Sequence, residues 1–256
     1  MKQPLLHFAE RGSGSPVLLV HGLMISGEMF RPVLDQFATR RRVIVPDLRG
    51  HGRSRGLPPP YDASTLANDL ASLLDHLGIW STVVLGYSQG GAVAQQFALD
   101  YPDRCSRLVL ACTYAFNMAS LREQLEGRLV PVLVRLLGMK RFARSVIGLG
   151  MKRVEKTRAA WVAGLIGDQD ATLMVKAWRA AMEFDSRSRL ADISCPTLVI
   201  AGSDDHAVPM HHARMLHEGI AGSALSIVDG ADHALIWERP DEFVRVVENF
   251  LTGSLG

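Results

Sequence analysis

The sequence predicts an α/β fold, in which a mostly parallel central sheet has helices on both faces and a helical cap inserted in one crossover. Three observations lead to this fold class. Strand-sized apolar runs alternate along the chain with patterns of helical periodicity. The apolar runs are continuous, as in strands that are buried on both faces. One connection, residues 113–196, is far longer than a simple crossover needs.

Six apolar runs predict the strands of the sheet. Because helical patterns separate them, we expect strand–helix–strand units and therefore parallel neighbours covered on both faces. In chain order the runs are VLLV (17–20), VIVP (43–46), TVVLG (82–86), RLVLA (107–111), TLVIAG (197–202) and LSIVDG (225–230).

Four helices are predicted between and after these strands. The segment Ala63–Leu77 has leucines at helical spacing, with Asp62 or Ser64 as its cap and Gly78 as its stop. The other three predicted helices are Gly91–Leu99, Pro209–Glu218 and Pro240–Leu251. The last two begin at a proline, which is favoured at the first helical position.

The long connection contains helical patterns but no convincing strand. We therefore predict a core of residues 1–114 and 191–256 and a helical cap of residues 115–190, inserted after the fourth apolar run. The cap carries fourteen Lys and Arg against seven Asp and Glu, a net charge of +7, whereas the rest carries fourteen against nineteen, a net −5. A basic cap suits anionic substrates or an anionic surface. Solvated helix faces explain the charge equally well.

The composition, 48% hydrophobic and 21% charged, is that of a soluble globular protein. The longest apolar stretches are strand-sized, so no membrane span is expected, and the first fourteen residues do not form a secretory signal. Cys105, Cys112 and Cys195 follow no metal-ligand spacing and are interpreted as buried free thiols in a reducing compartment. We expect a cytoplasmic protein without a nucleic-acid partner; homodimer formation stays open.

The stretch GYSQGG, residues 86–91, joins a predicted strand to a predicted helix. The pattern G-x-S-x-G at such a junction is typical of a nucleophile elbow, in which the serine projects from a strained, sharp turn. Gly86 and Gly90 supply the small residues that this turn needs, and Gly91 allows the helix to pack closely. The helix N-terminus adds backbone donors where an oxyanion would form. Ser88 is therefore the predicted nucleophile.

A serine hydroxyl needs a base, and the base needs an orienting carboxylate. Among nine histidines, His233 lies in a loop after the last predicted strand and before the final helix. Asp204 and Asp205 follow the strand TLVIAG, at the carboxyl end where α/β sheets place their chemistry. The order Ser, Asp, His is the expected one. These observations alone scarcely separate the two aspartates.

The histidines near these aspartates could suggest a metal site, but their spacing does not support one. Only His212 and nearby positions share one helix face, and neither a CxxC nor an HExxH pattern is present. No metal and no cofactor is predicted. The histidines concerned are His206, His211, His212 and His217.

Nearly the whole chain resembles the α/β-hydrolase superfamily, specifically its branch of capped esterases, lactonases and cofactor-free haloperoxidases. In such proteins the acid stands three residues after the glycine of a G-x-x-D-x-x-x-P loop, so Gly202 and Pro209 favour Asp205 over Asp204. The motifs that carry the resemblance are LLVHG (18–22), DLRGHGRS (47–54), GYSQGG (86–91), GSDDHAVP (202–209) and GADHALIWERP (230–240).

The resemblance also implies an oxyanion hole formed by the backbone N–H groups of Leu23 and Gln89. His21 and the segment DLRGHGRS are then structural, without a catalytic role. A crowded acyl pocket is expected near the residues after Gly22, and cap residues are candidates for the substrate-facing wall or for cap packing. The candidate substrate-binding residues are Met24, Ile25, Tyr87, Trp161, Trp178 and Met182.

Together these features indicate a carboxylic-ester hydrolase acting on small to medium apolar esters through an acyl-enzyme. Relatives that cleave alkyl halides or epoxides have an aspartate at the elbow, so Ser88 argues against them. A lactone hydrolase acting on an enol-lactone or an acyl-homoserine lactone uses the same groups and is the nearest alternative, followed by a cofactor-free perhydrolase or haloperoxidase. A receptor of the same fold that binds a ligand without turnover is the alternative from another class.

Overall fold

The computed structural model describes residues 5–253 and contains a seven-stranded sheet. Its strand order is β1-β3-β2-β4-β5-β6-β7, and all neighbours from β3 to β7 are parallel. The fold class predicted from the sequence is therefore confirmed. The strands are β1 Phe8–Arg11, β2 Ser15–Val20, β3 Arg41–Pro46, β4 Thr82–Tyr87, β5 Cys105–Ala111, β6 Thr197–Gly202 and β7 Ala224–Val228.

Strand β1 was not predicted. It pairs antiparallel with β3 at the edge of the sheet, where Phe8 is half-buried and the three residues after it are exposed. An edge strand with a solvated face has no continuous apolar run, so the sequence carries no signal of the kind that located β2 to β7.

All four predicted core helices are present. Asp62 caps α2 by accepting a hydrogen bond from the Thr65 amide, and Gly78 ends it with φ +67°. Pro209 precedes α7 instead of occupying its first position, and the short helices α1 and α8 were not predicted. The helices are α1 Arg31–Ala38, α2 Ala63–His76, α3 Gln89–Asp100, α4 Leu121–Gly150, α5 Lys156–Gly167, α6 Ala171–Met182, α7 Met210–Gly219, α8 Leu235–Glu238 and α9 Pro240–Thr252.

Both faces of the sheet are covered by apolar layers. Alternate residues of β2 face opposite sides: Val17 and Leu19 belong to one layer, and Leu18 and Val20 to the other. Helices α1 and α9 cover the first layer, whereas α2, α3 and α7 cover the second. Both faces are buried, which explains why the strand signal is continuous rather than alternating.

In the sequence, helices α4, α5 and α6 come after β5 and before β6, within the segment predicted as the cap. We call residues 115–190 the cap segment. Its two ends meet in a narrow neck, where Phe116 bridges Asp185 and the Ser186 amide donates to the Ala115 carbonyl at 2.9 Å. Helix α4 is interrupted at Gly138, whose φ of 70° lies outside the helical region. None of the helices within residues 5–253 is long and apolar enough to cross a bilayer.

The cap segment contacts loops that follow the carboxyl ends of the strands. After β3, the Gly52 amide donates to Gln169 at 3.0 Å; after β6, Asp204 pairs with Arg153 at 2.7 Å. Arg153 also donates to the carbonyl of Gly230, after β7. The cap segment thus lies at the edge of the sheet to which the strands point.

The three cysteines are free thiols, as predicted. Cys105 and Cys112 are buried. Cys195 is only half-buried, which corrects the expectation that all three are buried. It lies just before β6, and its Sγ is 3.8 Å from that of Cys105.

The turn after β3 is held by buried polar contacts. Asp47 accepts from the amides of Gly27 and Arg53, both at 2.8 Å, and His21 Nε2 accepts from the Leu48 amide at 2.8 Å. His21 is fully buried, and burial is the largest influence that lowers its pKa. A neutral ring suits its part as a hydrogen-bond acceptor. These contacts support a structural role for His21 and for the segment DLRGHGRS.

A buried ion pair links this turn to α2. Arg49 Nε and Nη2 donate to the two carboxylate oxygens of Asp69, both at 2.6 Å, and both side chains are almost completely buried. Removing one partner of such a pair leaves an uncompensated charge in the protein interior.

We therefore expect Asp69→Ala to lower the free energy of unfolding by about 3–5 kcal/mol, measured by urea denaturation. Asp103, an exposed aspartate in the turn before β5, provides the matched control. Asp103→Ala should change the stability by no more than about 0.5 kcal/mol. Equal effects of the two substitutions would contradict a structural role for the Arg49–Asp69 pair.

Candidate active site

Ser88 lies between β4 and α3 in a strained backbone conformation. Its φ and ψ are 55° and −124°, in a region that side-chain-bearing residues rarely adopt. The conformation is fixed by its surroundings: the Ser88 amide donates to the Ala111 carbonyl at 2.9 Å, and the Thr113 hydroxyl donates to the Ser88 carbonyl at 2.6 Å. The backbone therefore has the conformation of the predicted nucleophile elbow, a sharp turn between a strand and a helix.

Glycines on either side of Ser88 make this turn sterically possible. A Cβ atom added at Gly86 would lie 2.2 Å from the Gly90 carbonyl oxygen. One added at Gly90 would lie 2.1 Å from the carbonyl oxygen of Val20 in β2. Backbone oxygens cannot move aside as a flexible side chain can, so both positions require glycine.

The structure brings Ser88, His233 and Asp205 together from three separate parts of the chain. His233 Nε2 is 3.2 Å from Ser88 Oγ, and His233 Nδ1 is 2.8 Å from Asp205 Oδ2. A carboxylate only accepts hydrogen bonds, so Nδ1 carries the proton and the neutral ring presents Nε2 as an acceptor to the serine hydroxyl. A serine nucleophile, its base and an orienting acid need these contacts, from serine to histidine and from histidine to aspartate.

Asp205, and not Asp204, faces His233. Asp205 is buried, and its other oxygen, Oδ1, accepts from the amides of Ala207 and Val208 at 2.9 and 2.7 Å. The Asp204 side chain instead reaches the surface, where it pairs with Arg153. Three hydrogen bonds thus fix the Asp205 carboxylate in one orientation beside the imidazole.

Two opposing influences act on the pKa of His233. Burial lowers it, because the charged imidazolium loses hydration. The negative charge of Asp205 and its hydrogen bond to the ring raise it, with a smaller contribution from Asp232. The attraction outweighs the burial, and the pKa of His233 lies above its ordinary value.

The amides expected to form an oxyanion hole lie next to Ser88. A methyl group added at Gly22 would be only 3.3 Å from the Cβ of Ser88, so the chain that continues into Leu23 passes beside the serine. Gln89 is the first residue of α3. Within residues 5–253, neither the Leu23 amide nor the Gln89 amide donates to another protein group. Both are therefore available to an incoming oxygen atom.

Tyr87, expected near the acyl pocket, is buried against Trp237 and Phe243. Its contact with a substrate stays a prediction. Its hydroxyl donates to the backbone carbonyl of His233 at 2.8 Å. Tyr87 therefore holds the loop of the candidate base. Sequence reasoning missed this role because the contact joins residues far apart in the chain.

Other predicted substrate-binding residues lie mostly in packed surroundings. Met24 and Ile25 are buried, Met24 in a cluster that includes cap residues and Ile25 in the core layer beneath the sheet. Trp161 packs against the Arg31 guanidinium, 5.9 Å from the ring centre.

The remaining two candidates, Trp178 and Met182, belong to helix α6 and adjoin α4. Trp178 Nε1 donates to the Gly127 carbonyl at 3.0 Å, and the sulfur of Met182 also adjoins Gly127. Helix packing accounts for both of these side chains. Contact of Met24, Ile25 and the three cap residues with a substrate stays a prediction.

Two groups of potential metal ligands have donor atoms within 4.8 Å of one another. One consists of Cys112, Asp205 and His233, and the other of Glu123, His211 and His212. In the first group, burial raises the pKa of the Cys112 thiol, which keeps it protonated and a poor ligand.

In the second group, Glu123 Oε1 lies 3.0 and 3.2 Å from the Nε2 atoms of His212 and His211. A hydrogen bond between His212 of α7 and Glu123 of the cap segment accounts for the closer of these two contacts. Burial is the largest influence that lowers the pKa of His212, which favours its neutral ring.

Known proteins with a similar sequence or fold are numerous. A family model described as alpha/beta hydrolase fold matches residues 15–240. A protein of Azorhizobium caulinodans, RutD, provisionally named a carbamate hydrolase, is 31% identical over 252 residues, which cover 96% of this chain and 94% of the relative.

Two solved structures extend the comparison. A thermophilic esterase from Thermogutta terrifontis aligns with a TM-score of 0.88 at 31% identity, covering 97% of this chain and 93% of the esterase. The enol-lactonase from Burkholderia xenovorans aligns with a TM-score of 0.88 at 28% identity, covering 96% of each chain. By its fold, its sequence and the residues matched, this chain belongs to the α/β-hydrolase family and is a hydrolase.

Proposed function

We propose that the protein hydrolyses carboxylic esters through an acyl-enzyme on Ser88. The observation that carries this proposal is the continuous relay from Ser88 Oγ to His233 Nε2 and from His233 Nδ1 to Asp205 Oδ2, at 3.2 and 2.8 Å. A hydroxyl with a positioned neutral base and an orienting carboxylate is suited to attack a carbonyl carbon.

In the first half-reaction, Ser88 Oγ attacks the ester carbonyl carbon while His233 Nε2 takes the hydroxyl proton. The carbonyl oxygen becomes an oxyanion, and the free amides of Leu23 and Gln89 donate to it. One such donor is typically worth about 3 kcal/mol in the transition state. The imidazolium, stabilised by Asp205, then gives its proton to the departing alkoxide, which leaves as an alcohol.

In the second half-reaction, a water molecule attacks the acyl carbon while His233 Nε2 takes one of its protons. The second tetrahedral intermediate collapses by breaking the bond to Ser88 Oγ, which recovers its proton from the imidazolium. A carboxylic acid is released and the hydroxyl is restored. Each step uses the same two donors and the same base.

The substrates we propose are small to medium apolar esters. Buried apolar side chains follow Gly22 beside the serine, and the Thermogutta terrifontis relative is an esterase by its description. Lactones are the second candidate, because the Burkholderia xenovorans relative is described as an enol-lactonase and ring opening needs the same relay. The ratio of kcat/KM for p-nitrophenyl butyrate and for a series of lactones tests which class is preferred.

We expect Ser88→Ala to abolish hydrolysis of p-nitrophenyl butyrate and covalent labelling by a fluorophosphonate, because within residues 5–253 the Ser88 hydroxyl is the one that lies within hydrogen-bond distance of the His233 ring. Ser106→Ala, at an exposed serine on β5, is the control and should leave both unchanged. A folded Ser88→Ala protein with full turnover would refute the proposal. A wild-type protein that binds esters without turnover would be a receptor.

The two aspartates should respond very differently to amidation. Asp205→Asn removes the charge that orients and stabilises the imidazolium, and kcat should fall by about 10⁴-fold. Asp204→Asn breaks only an exposed pair with Arg153, so kcat should stay within a few-fold of wild type. Steady-state kinetics on one ester measures both. The reverse ranking would assign the acid to Asp204.

The pH dependence follows from the direction of the His233 shift. Only the neutral imidazole can accept the Ser88 proton, so kcat/KM falls as the pH drops through the His233 pKa. Because Asp205 raises that pKa, we expect the midpoint above 6.5, the ordinary value. In Asp205→Asn the attraction is lost while burial remains, so the midpoint of the residual activity should move to lower pH. An unchanged midpoint would contradict this assignment.

A further inference from the structure

Helix α4 exposes an apolar stripe along its first half. Nine of the twelve exposed large apolar side chains within residues 5–253 lie on this one helix, so the exposure is concentrated and not scattered. Five of them follow one another at steps of three or four residues and form one face, 44–85% exposed. We call this face the cap stripe; its residues are Leu121, Leu125, Leu129, Val132 and Leu136.

The cap stripe is not the face by which α4 packs onto the rest of the protein. The buried residues of this half are Glu123, Pro131 and Val134, and their positions place them on the opposite side of the helix. Val134 packs with Met174 of α6. Helix α4 therefore has two apolar faces, one satisfied by packing and one in water. A patch of this kind on a soluble surface marks an interaction site.

Positive charge borders the cap stripe. Arg128 and Arg135 stand three residues after Leu125 and Val132, which places them along one edge of the stripe. Arg135 also lines a hollow of about 300 Å³ between α4 and α6, together with Lys176 and Arg179. These four cations are exposed, and none of them forms an ion pair with another described residue.

We propose that the cap stripe and its bordering cations bind the surface of an anionic phospholipid bilayer. An apolar face bordered by exposed Lys and Arg is the arrangement by which a helix lies in the membrane interface, with its leucines below the headgroups and its cations among the phosphates. The hollow lined by Arg135, Lys176 and Arg179 matches the charge of a phosphate group. The inference goes beyond the proposed ester hydrolysis and does not depend on it.

A second copy of the chain is the competing occupant of the stripe. In a two-fold symmetric dimer, the same patch of each copy meets the other. Where the two stripes pack antiparallel, Arg128 and Arg135 of one protomer would lie along the same edge as those of its partner, and like charges at a contact are unfavourable. A bilayer that contains anionic lipid supplies the opposite charge, which is why the charges favour the membrane.

The test is co-sedimentation of the full chain with vesicles of phosphatidylcholine alone or of equal parts phosphatidylcholine and phosphatidylglycerol. Binding should be strong only with phosphatidylglycerol and should weaken as salt is added. The variant Leu125→Gln/Leu129→Gln/Leu136→Gln should lose about tenfold in partitioning for each leucine. The matched control is Ile227→Gln, which changes an exposed apolar residue of β7, outside the cap segment. This variant should bind as wild type.

A second variant, Arg135→Gln/Lys176→Gln/Arg179→Gln, tests the charges separately, with an expected loss of about fivefold for each cation on the mixed vesicles. Thermal melting followed by circular dichroism verifies that each variant is folded. Absence of wild-type binding to the mixed vesicles would overturn the proposal, as would wild-type binding by the folded leucine variant. A wild-type dimer that the leucine variant converts to monomers, seen by light scattering, would assign the stripe to a second copy instead.

Discussion

The backbone conformation of Ser88 is the constraint on which the rest of the site depends. A residue with a side chain in this region typically costs about 1–3 kcal/mol, so it persists only where the surroundings enforce it. Strand β4 pairs with β2 on one side and β5 on the other, and α3 begins at the next residue. Gly86 and Gly90 remove the side chains that would collide with neighbouring backbone. The centre of the sheet thus presents the candidate nucleophile.

The candidate base and the candidate acid lie on loops and are fixed by hydrogen bonds instead. Two amides hold one oxygen of Asp205, and the Tyr87 hydroxyl holds the carbonyl of His233. Arg153 spans from Asp204 to Gly230, and so joins the loops after β6 and β7. Strand pairing therefore positions Ser88, whereas hydrogen bonds to loops position Asp205 and His233.

Features with local signals could be predicted from the sequence. The apolar runs located β2 to β7, the Asp62 cap and the spaced leucines located α2, and GYSQGG located the turn at Ser88. Strand β1 could not be found because its exposed edge has no apolar run. The choice of Asp205 needed the resemblance to a family, since the two aspartates are adjacent. The role of Tyr87 depends on a contact across 146 positions, which leaves no pattern in the chain.

The neck at the base of the cap segment has a consequence for how this architecture can diversify. Phe116 and Asp185 lie side by side, so the core meets the whole insertion as a loop whose ends already touch. The entropy of closing such a loop grows only with the logarithm of its length. Segments of very different size can therefore replace one another above the same neck at little thermodynamic cost to the core. Recombination at this one place would exchange the covering of the site and leave the sheet that presents the serine unaltered.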